Sequence, residues 1–149
     1  MPKLFSSIKI RDMDLRNRIV MPPMCMYSSD SEGRANSWHF IHYSTRSIGG
    51  VGLIVVEATA VEPRGRLSDR DLGLWDDSQI EGLGKIVEEV KKHGAKIGIQ
   101  INHAGRKCGA DEDVIIAPSP IAFDESYKTP VEMTKEDIRR TAALFKEAA

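Results

Sequence analysis

Cysteine is scarce in this chain, long apolar runs are missing, and neither sign of charge dominates. The two cysteines among 149 residues, Cys25 and Cys108, lie far apart. That spacing excludes a disulfide framework and points to a reducing cytosol. Lys and Arg total 21 against 22 Asp and Glu, a net charge of −1, so electrostatics supplies no nucleic-acid or anionic-membrane partner. The longest apolar run, Val51 to Val56, is too short to cross a bilayer. Met1 to Phe5 soon turn polar and have no apolar segment of the kind a secretory signal needs. What remains is the composition of an ordinary globular chain, expected in the cytoplasm.

Strand and helix patterns alternate. Ile8–Ile10 and Leu15–Ile19 flank a polar stretch, so residues 1–17 read as an N-terminal hairpin. Ile19 to Met21 run into Pro22 and Pro23, which end ladder pairing there. Trp38, Ile41, Thr45 and Ile48 fall at helical spacing behind a cap at Asn36 or Ser37, and Gly49-Gly50 stops the helix. Leu53 to Val56 form a continuous apolar run, as in a parallel strand buried on both faces. Asp76 and Gln79 have capping-box spacing before Ile80, Leu83, Val87 and Val90, and Gly94 ends that helix. Lys96 to Asn102 alternate, with Ile97, Ile99 and Ile101 on one side and Gly98, Gln100 and Asn102 on the other. Gly105 to Pro130 read as a long loop. Thr134 caps a final helix that carries no stop signal before Ala149. Strands followed by helices at intervals of roughly 35 to 45 residues imply βαβ units and a parallel sheet. An open doubly wound sheet and a (β/α)8 barrel both fit; a barrel typically needs about 250 residues, so the pattern is that of an incomplete fold.

Functional residues in such folds gather at the C-terminal ends of strands. Three segments qualify: Pro22 to Tyr27, Glu57 to Thr59, and His103 to Lys107. Gly49 to Gly52 precede a strand instead of opening a helix, so they do not cradle a phosphate. A lone cysteine such as Cys25 is more often a small buried hydrophobe than a reactive centre. Only His103 and Cys108 resemble a zinc-ligand pair, and no metal site is expected. His39 and His42 read as structural histidines, and Arg64-Gly65-Arg66 as a solvent-exposed turn. Gln100, on the polar face of its strand, needs a partner offering both a donor and an acceptor.

At these rim segments the chain resembles the Old Yellow Enzyme family of FMN-dependent ene-reductases, in its bacterial, thermophilic-like branch. The likeness runs through Asn17 to Met21, Pro23 to Tyr27, Gly52 to Ile54, Glu57 to Val61, Gly65-Arg66, Asp71 to Trp75 and Gln100 to Lys107. It implies an α/β fold, the N-terminal part of a (β/α)8 barrel, with residues 1–149 forming part of one FMN-binding domain and the hairpin closing the barrel bottom. Pro22, Pro23, Met24 and Cys25 would pass along the flavin, with the Cys25 thiol tuning its redox balance. Tyr27 would donate to the substrate carbonyl, Ala58 would offer backbone contact, and Gln100 would pair with the pyrimidine end of the ring. Arg106 and Lys107 would lie at the mouth. The implied reaction passes a hydride from NAD(P)H through FMN to the β-carbon of a small α,β-unsaturated carbonyl compound, in a homo-oligomeric parent. The 149 residues alone are expected to be inactive. A dienoyl-CoA-reductase-like flavoprotein and a non-catalytic binding or assembly chain are the alternatives.

Overall fold

The computed structural model describes residues 2–149. Its first strands, β1 (Ile8–Ile10) and β2 (Met13–Leu15), pair antiparallel with Ile8 opposite Leu15. The second strand opens at Met13, earlier than the expected Leu15. Arg11 takes a left-handed φ of 51°, the turn closes over Arg11 and Asp12 alone, and Arg16 to Ile19 fall outside the hairpin. Arg16 becomes a brace instead. Its guanidinium donates to the carbonyls of Ser47 (2.9 Å), Val51 (2.8 Å) and His93 (2.7 Å), at or just beyond the C-terminal ends of the first two helices. A cation there meets unpaired acceptors and the negative end of each helix dipole.

The sheet consists of β3 (Val20–Met21), β4 (Leu53–Ala60), β5 (Leu72–Gly73) and β6 (Lys96–Asn102), all parallel. β6 pairs along one edge of β4; β3 takes the start of the other edge and β5 its end. The amides of Gly52 and Leu53 both donate to the Ile19 carbonyl, at 3.0 and 3.3 Å, which seats β4 beside β3. A Cβ on Gly52 would lie 2.7 Å from Asn17 Oδ1 and 2.8 Å from the Asn17 carbonyl. Gly52→Ala is therefore expected to cost about 1–3 kcal/mol, measured as a lower urea midpoint.

Helices α1 (Ser37–Ile48) and α2 (Ile80–Lys92) cover one face of the sheet, over a core that includes Met21, Ile54, Val56, Leu72, Ile86 and Val90. The expected caps are present at Asn36 and at Asp76, the latter on a short 3-10 turn leading into α2. In α1 the residues whose spacing signals the helix are its exposed ones: Trp38, Ile41 and Ile48 are 53%, 60% and 62% exposed. The buried side carries His39, His42, Tyr43 and Ser47, and hydrogen bonding explains why. Ser47 Oγ donates to the Val90 carbonyl of α2 at 2.8 Å, and Tyr43 bonds to β4. Hydrophobic periodicity does not register a face buried through polar groups.

Three further expectations change. β4 runs on to Ala60, so Glu57, Ala58 and Thr59 lie within the strand and not beyond it. The Gly105–Pro130 stretch holds β7 (Ile116–Ala117), which pairs parallel with β8 (Val131–Glu132) ahead of α3 (Lys135–Glu147). Arg66 is buried, not part of a solvent-exposed turn: it donates to the Pro63 carbonyl at 3.0 Å, pairs with Glu112 at 3.1 Å, and lies over the Trp75 ring.

Candidate active site

A β-bulge builds the site. Val56 pairs with Ile99 and Ala58 with Gln100, so Glu57 is an extra residue in β4 with no partner in β6. Paired neighbours in a sheet share a face, and successive residues normally alternate. Val56 belongs to the helix-covered core with Ile99, so without the bulge Ala58 would join it there. The extra residue reverses the phase: Ala58 stands beside Gln100 on the opposite, open face. On that face Gln100 and Gly98 are exposed, a Cβ added to Gly98 would meet nothing within 4 Å, and the Oδ1 of Asn102 is buried without a hydrogen-bond partner.

Glu57 itself is 1% exposed and faces α1. Its Oε2 accepts from the Met26 amide at 2.6 Å, and its Oε1 accepts from the Tyr43 hydroxyl at 3.1 Å. The same hydroxyl accepts from the Glu57 amide at 3.0 Å, satisfying the donor that the bulge removes from the ladder. Burial pushes the carboxyl above its ordinary value, while the Met26 amide and the Tyr43 hydroxyl pull it back down. His39 stands behind this group. Its Nδ1 accepts from the Asn36 amide at 3.2 Å, filling the role a Glu or Gln usually has in a capping box, and lies 3.1 Å from Asn36 Oδ1. Nε2 is 3.6 Å from Glu57 Oε1, longer than a hydrogen bond, and burial lowers the ring to about 4. His39 is thus a neutral structural histidine.

The segment after β3 crosses this edge. Pro22 and Met24 are exposed, while Pro23 and Cys25 are half-buried. The Cys25 thiol is raised first by burial and then by the carboxylates of Asp71 and Glu57, and the Ala58 backbone lies within its reach. Tyr27 is raised chiefly by Cys25 beside it. Both groups are therefore neutral hydrogen-bond donors near neutral pH. Tyr27 has a left-handed φ of 50°, uncommon outside glycine, and its carbonyl accepts from Arg70 Nε at 3.2 Å. Arg106 and Lys107 lie on a 3-10 turn, with Lys107 Nζ 4.1 Å from the centroid of the Phe123 ring. Tyr127 packs edge-on against Phe123 and is near enough to Tyr27 to raise it slightly. His103 belongs to a structural cluster: Nε2 meets Glu62 at 2.8 Å and Nδ1 accepts from the Gly105 amide at 3.0 Å. Among the described residues no group of three or more His, Cys, Asp or Glu side chains is placed to hold a metal.

Cys25 thus reaches the Ala58 backbone, and Ala58 stands beside Gln100. Sequence reasoning placed Glu57 in a rim segment without giving it a role, and passed over Tyr43 and Tyr127. A single acid inside the run Leu53–Ala60 is a signal in itself, because a buried carboxylate requires donors.

Residues 3–149 match the family described as NADH:flavin oxidoreductase / NADH oxidase. The chain belongs to this family. It is 56% identical over 147 residues to the NADPH dehydrogenase of Clostridium acetobutylicum, with 99% of the chain covering 43% of that protein. To the NADPH dehydrogenase of Bacillus subtilis it is 57% identical over 148 residues, with 99% of the chain covering 44% of that protein. Its fold superimposes on Old Yellow Enzyme from Pichia sp. AKU4542 with a TM-score of 0.90 at 31% identity, covering 99% of the chain and 42% of that structure. The chain therefore spans less than half the length of the curated relatives it matches, and its fold is that of the N-terminal part of an Old Yellow Enzyme (β/α)8 barrel. Among the described residues no helix is long and apolar enough to cross a membrane.

Proposed function

We propose that this chain forms one wall of the FMN site of an NAD(P)H-dependent oxidoreductase that reduces the C=C bond of small α,β-unsaturated carbonyl compounds in the cytoplasm. The observation that carries this reading is the β4 bulge, which sets Ala58 beside Gln100 on an open face next to Cys25. The residues there fit a flat heterocycle. Gly98 leaves room above its strand, and the Gln100 amide presents a donor and an acceptor, matching the alternating groups of a pyrimidine edge. The chemistry a flavin supplies when bound is hydride transfer from NAD(P)H to the β-carbon of the substrate. The chain's own part is orientation and hydrogen bonding. Gln100 and the backbone at Ala58 fix the ring's placement, and Pro22, Pro23 and Met24 form a shelf along it. The Cys25 thiol, kept protonated, offers a weak donor at its edge. Tyr27 donates to the substrate carbonyl and stabilises negative charge developing on that oxygen. Arg106 and Lys107, held over Phe123, stand at the mouth.

The test joins this chain to the remaining length of the Bacillus subtilis relative and measures the visible spectrum after FMN loading and desalting. A yellow protein that oxidises NADPH in the presence of an enone is the expected result, whereas the 149-residue chain alone elutes colourless. A folded but colourless fusion overturns the proposal. In the yellow fusion, Gln100→Leu removes two hydrogen bonds and leaves a buried pyrimidine edge unpaired, so FMN affinity falls roughly 10- to 100-fold, measured by fluorescence titration.

A further inference from the structure

The bulge in β4 also delivers Glu57, and we infer that this carboxylate is the positioning residue that sets where Cys25 and Tyr27 stand on the rim. The inference rests on the proposed roles of those two residues and adds the group that holds them. Glu57 touches neither side chain's functional atom directly. Its Oε2 accepts from the Met26 amide at 2.6 Å and the neighbouring Tyr27 amide also acts on the carboxyl, so the acid holds the backbone between the thiol and the phenol. A bond that short to an acid is charge-assisted and worth more than an ordinary amide–carbonyl pair. Tyr27 needs such restraint, because its φ of 50° is unfavourable for a residue with a side chain. Its backbone is clamped at both ends, the amide toward Glu57 and the carbonyl by Arg70 Nε at 3.2 Å.

The supporting geometry is specific to an extra residue at this point. A regular β4 would supply no side chain that leaves the strand edge toward both α1 and the Met26 amide. Tyr43, fully buried in α1, closes the arrangement by accepting from the Glu57 amide and donating to its carboxylate. Asp71, Glu57, Tyr27 and Tyr43 are ionisable groups that interact with the Cys25 thiol. Removing the charge at position 57 while keeping an acceptor therefore separates the electrostatic effect of Glu57 from its anchoring effect.

The experiment follows two readouts on this chain, neither of which needs flavin: hydrogen exchange at the Met26 amide, and iodoacetamide alkylation of Cys25 across a pH series, mapped by mass spectrometry. In Glu57→Gln the side-chain oxygen still accepts from Met26, so amide protection is retained, while Cys25 alkylates several-fold faster near neutral pH because one carboxylate that disfavours its thiolate is gone. In Glu57→Leu the Met26 amide loses at least about tenfold of its protection. Both variants lack the charge and only Glu57→Leu lacks the anchor, so a Cys25 alkylation profile in Glu57→Leu superimposable on that of Glu57→Gln overturns the inference. So does an unprotected Met26 amide in the unmodified chain, or undiminished protection in Glu57→Leu. A colourless fusion in the flavin test defeats the functional reading alone, since the anchor is measured without it.

Discussion

Replacing Tyr43 by phenylalanine is expected to destabilise the chain by about 2–5 kcal/mol, although the substitution removes one oxygen atom and adds no bulk. Tyr43 is fully buried, and its hydroxyl both accepts from the Glu57 amide (3.0 Å) and donates to the Glu57 carboxylate (3.1 Å). Phenylalanine leaves a buried amide with no acceptor at the bulge and a buried carboxylate with one donor fewer. Each lost partner costs about 1–3 kcal/mol, more where the group is charged. Urea denaturation near neutral pH measures the loss. The difference between the two proteins shrinks as the pH falls and Glu57 is protonated. A loss below about 1 kcal/mol at neutral pH would mean that the bulge amide finds another acceptor.

The second large effect is acid sensitivity through His39. Burial lowers the folded ring from 6.5 to about 4, so the unfolded chain binds a proton that the folded chain refuses in that interval. Stability from this residue is complete above pH 6.5 and is lost as the pH falls toward about 4, a swing of roughly 3 kcal/mol. Burial raises Glu57 and Asp71, and their contribution has the opposite sign. Protonating them favours the folded chain, so the penalty they impose at neutral pH is relieved in acid. His39→Gln isolates the histidine, because a Gln side chain can still accept from the Asn36 amide in the capping box. The stability of the unmodified chain minus that of His39→Gln is expected to fall steadily between pH 6.5 and about 4. A flat difference would mean that the ring protonates in the folded state as readily as in the unfolded one.

Local chemistry was readable from the sequence wherever it acts over a few residues. The caps at Asn36, Asp76 and Thr134 and the stop at Gly49-Gly50 depend on neighbours within one turn, and all four stand in the structure. The alternation in Lys96–Asn102 placed Gln100 on a polar face, and the strand pairs along its full length. What escaped depends on partners distant in the chain. The bulge exists only in the register between β4 and β6, so nothing within Leu53–Ala60 announces which residue is extra. The buried side of α1 is chosen by Glu57 and Val90, which lie beyond any helical window, and its hydrophobic stripe points the other way. Arg66 reads as a surface turn until Glu112 and Trp75 are brought to it.

The bulge also bears on how this strand tolerates insertion and deletion. Eight residues of β4 lie against seven of β6, and the surplus residue is Glu57. A homologue one residue shorter in this strand keeps every cross-strand pair if its gap is placed at position 57. A gap among residues 53–56, or a residue inserted before Ala58, throws Ala58 out of step with Gln100, and a gap at Thr59 or Ala60 breaks the last pairs with Ile101 and Asn102. The strand therefore contains one position where length can change without disturbing the sheet, and that position holds the carboxylate that anchors Met26.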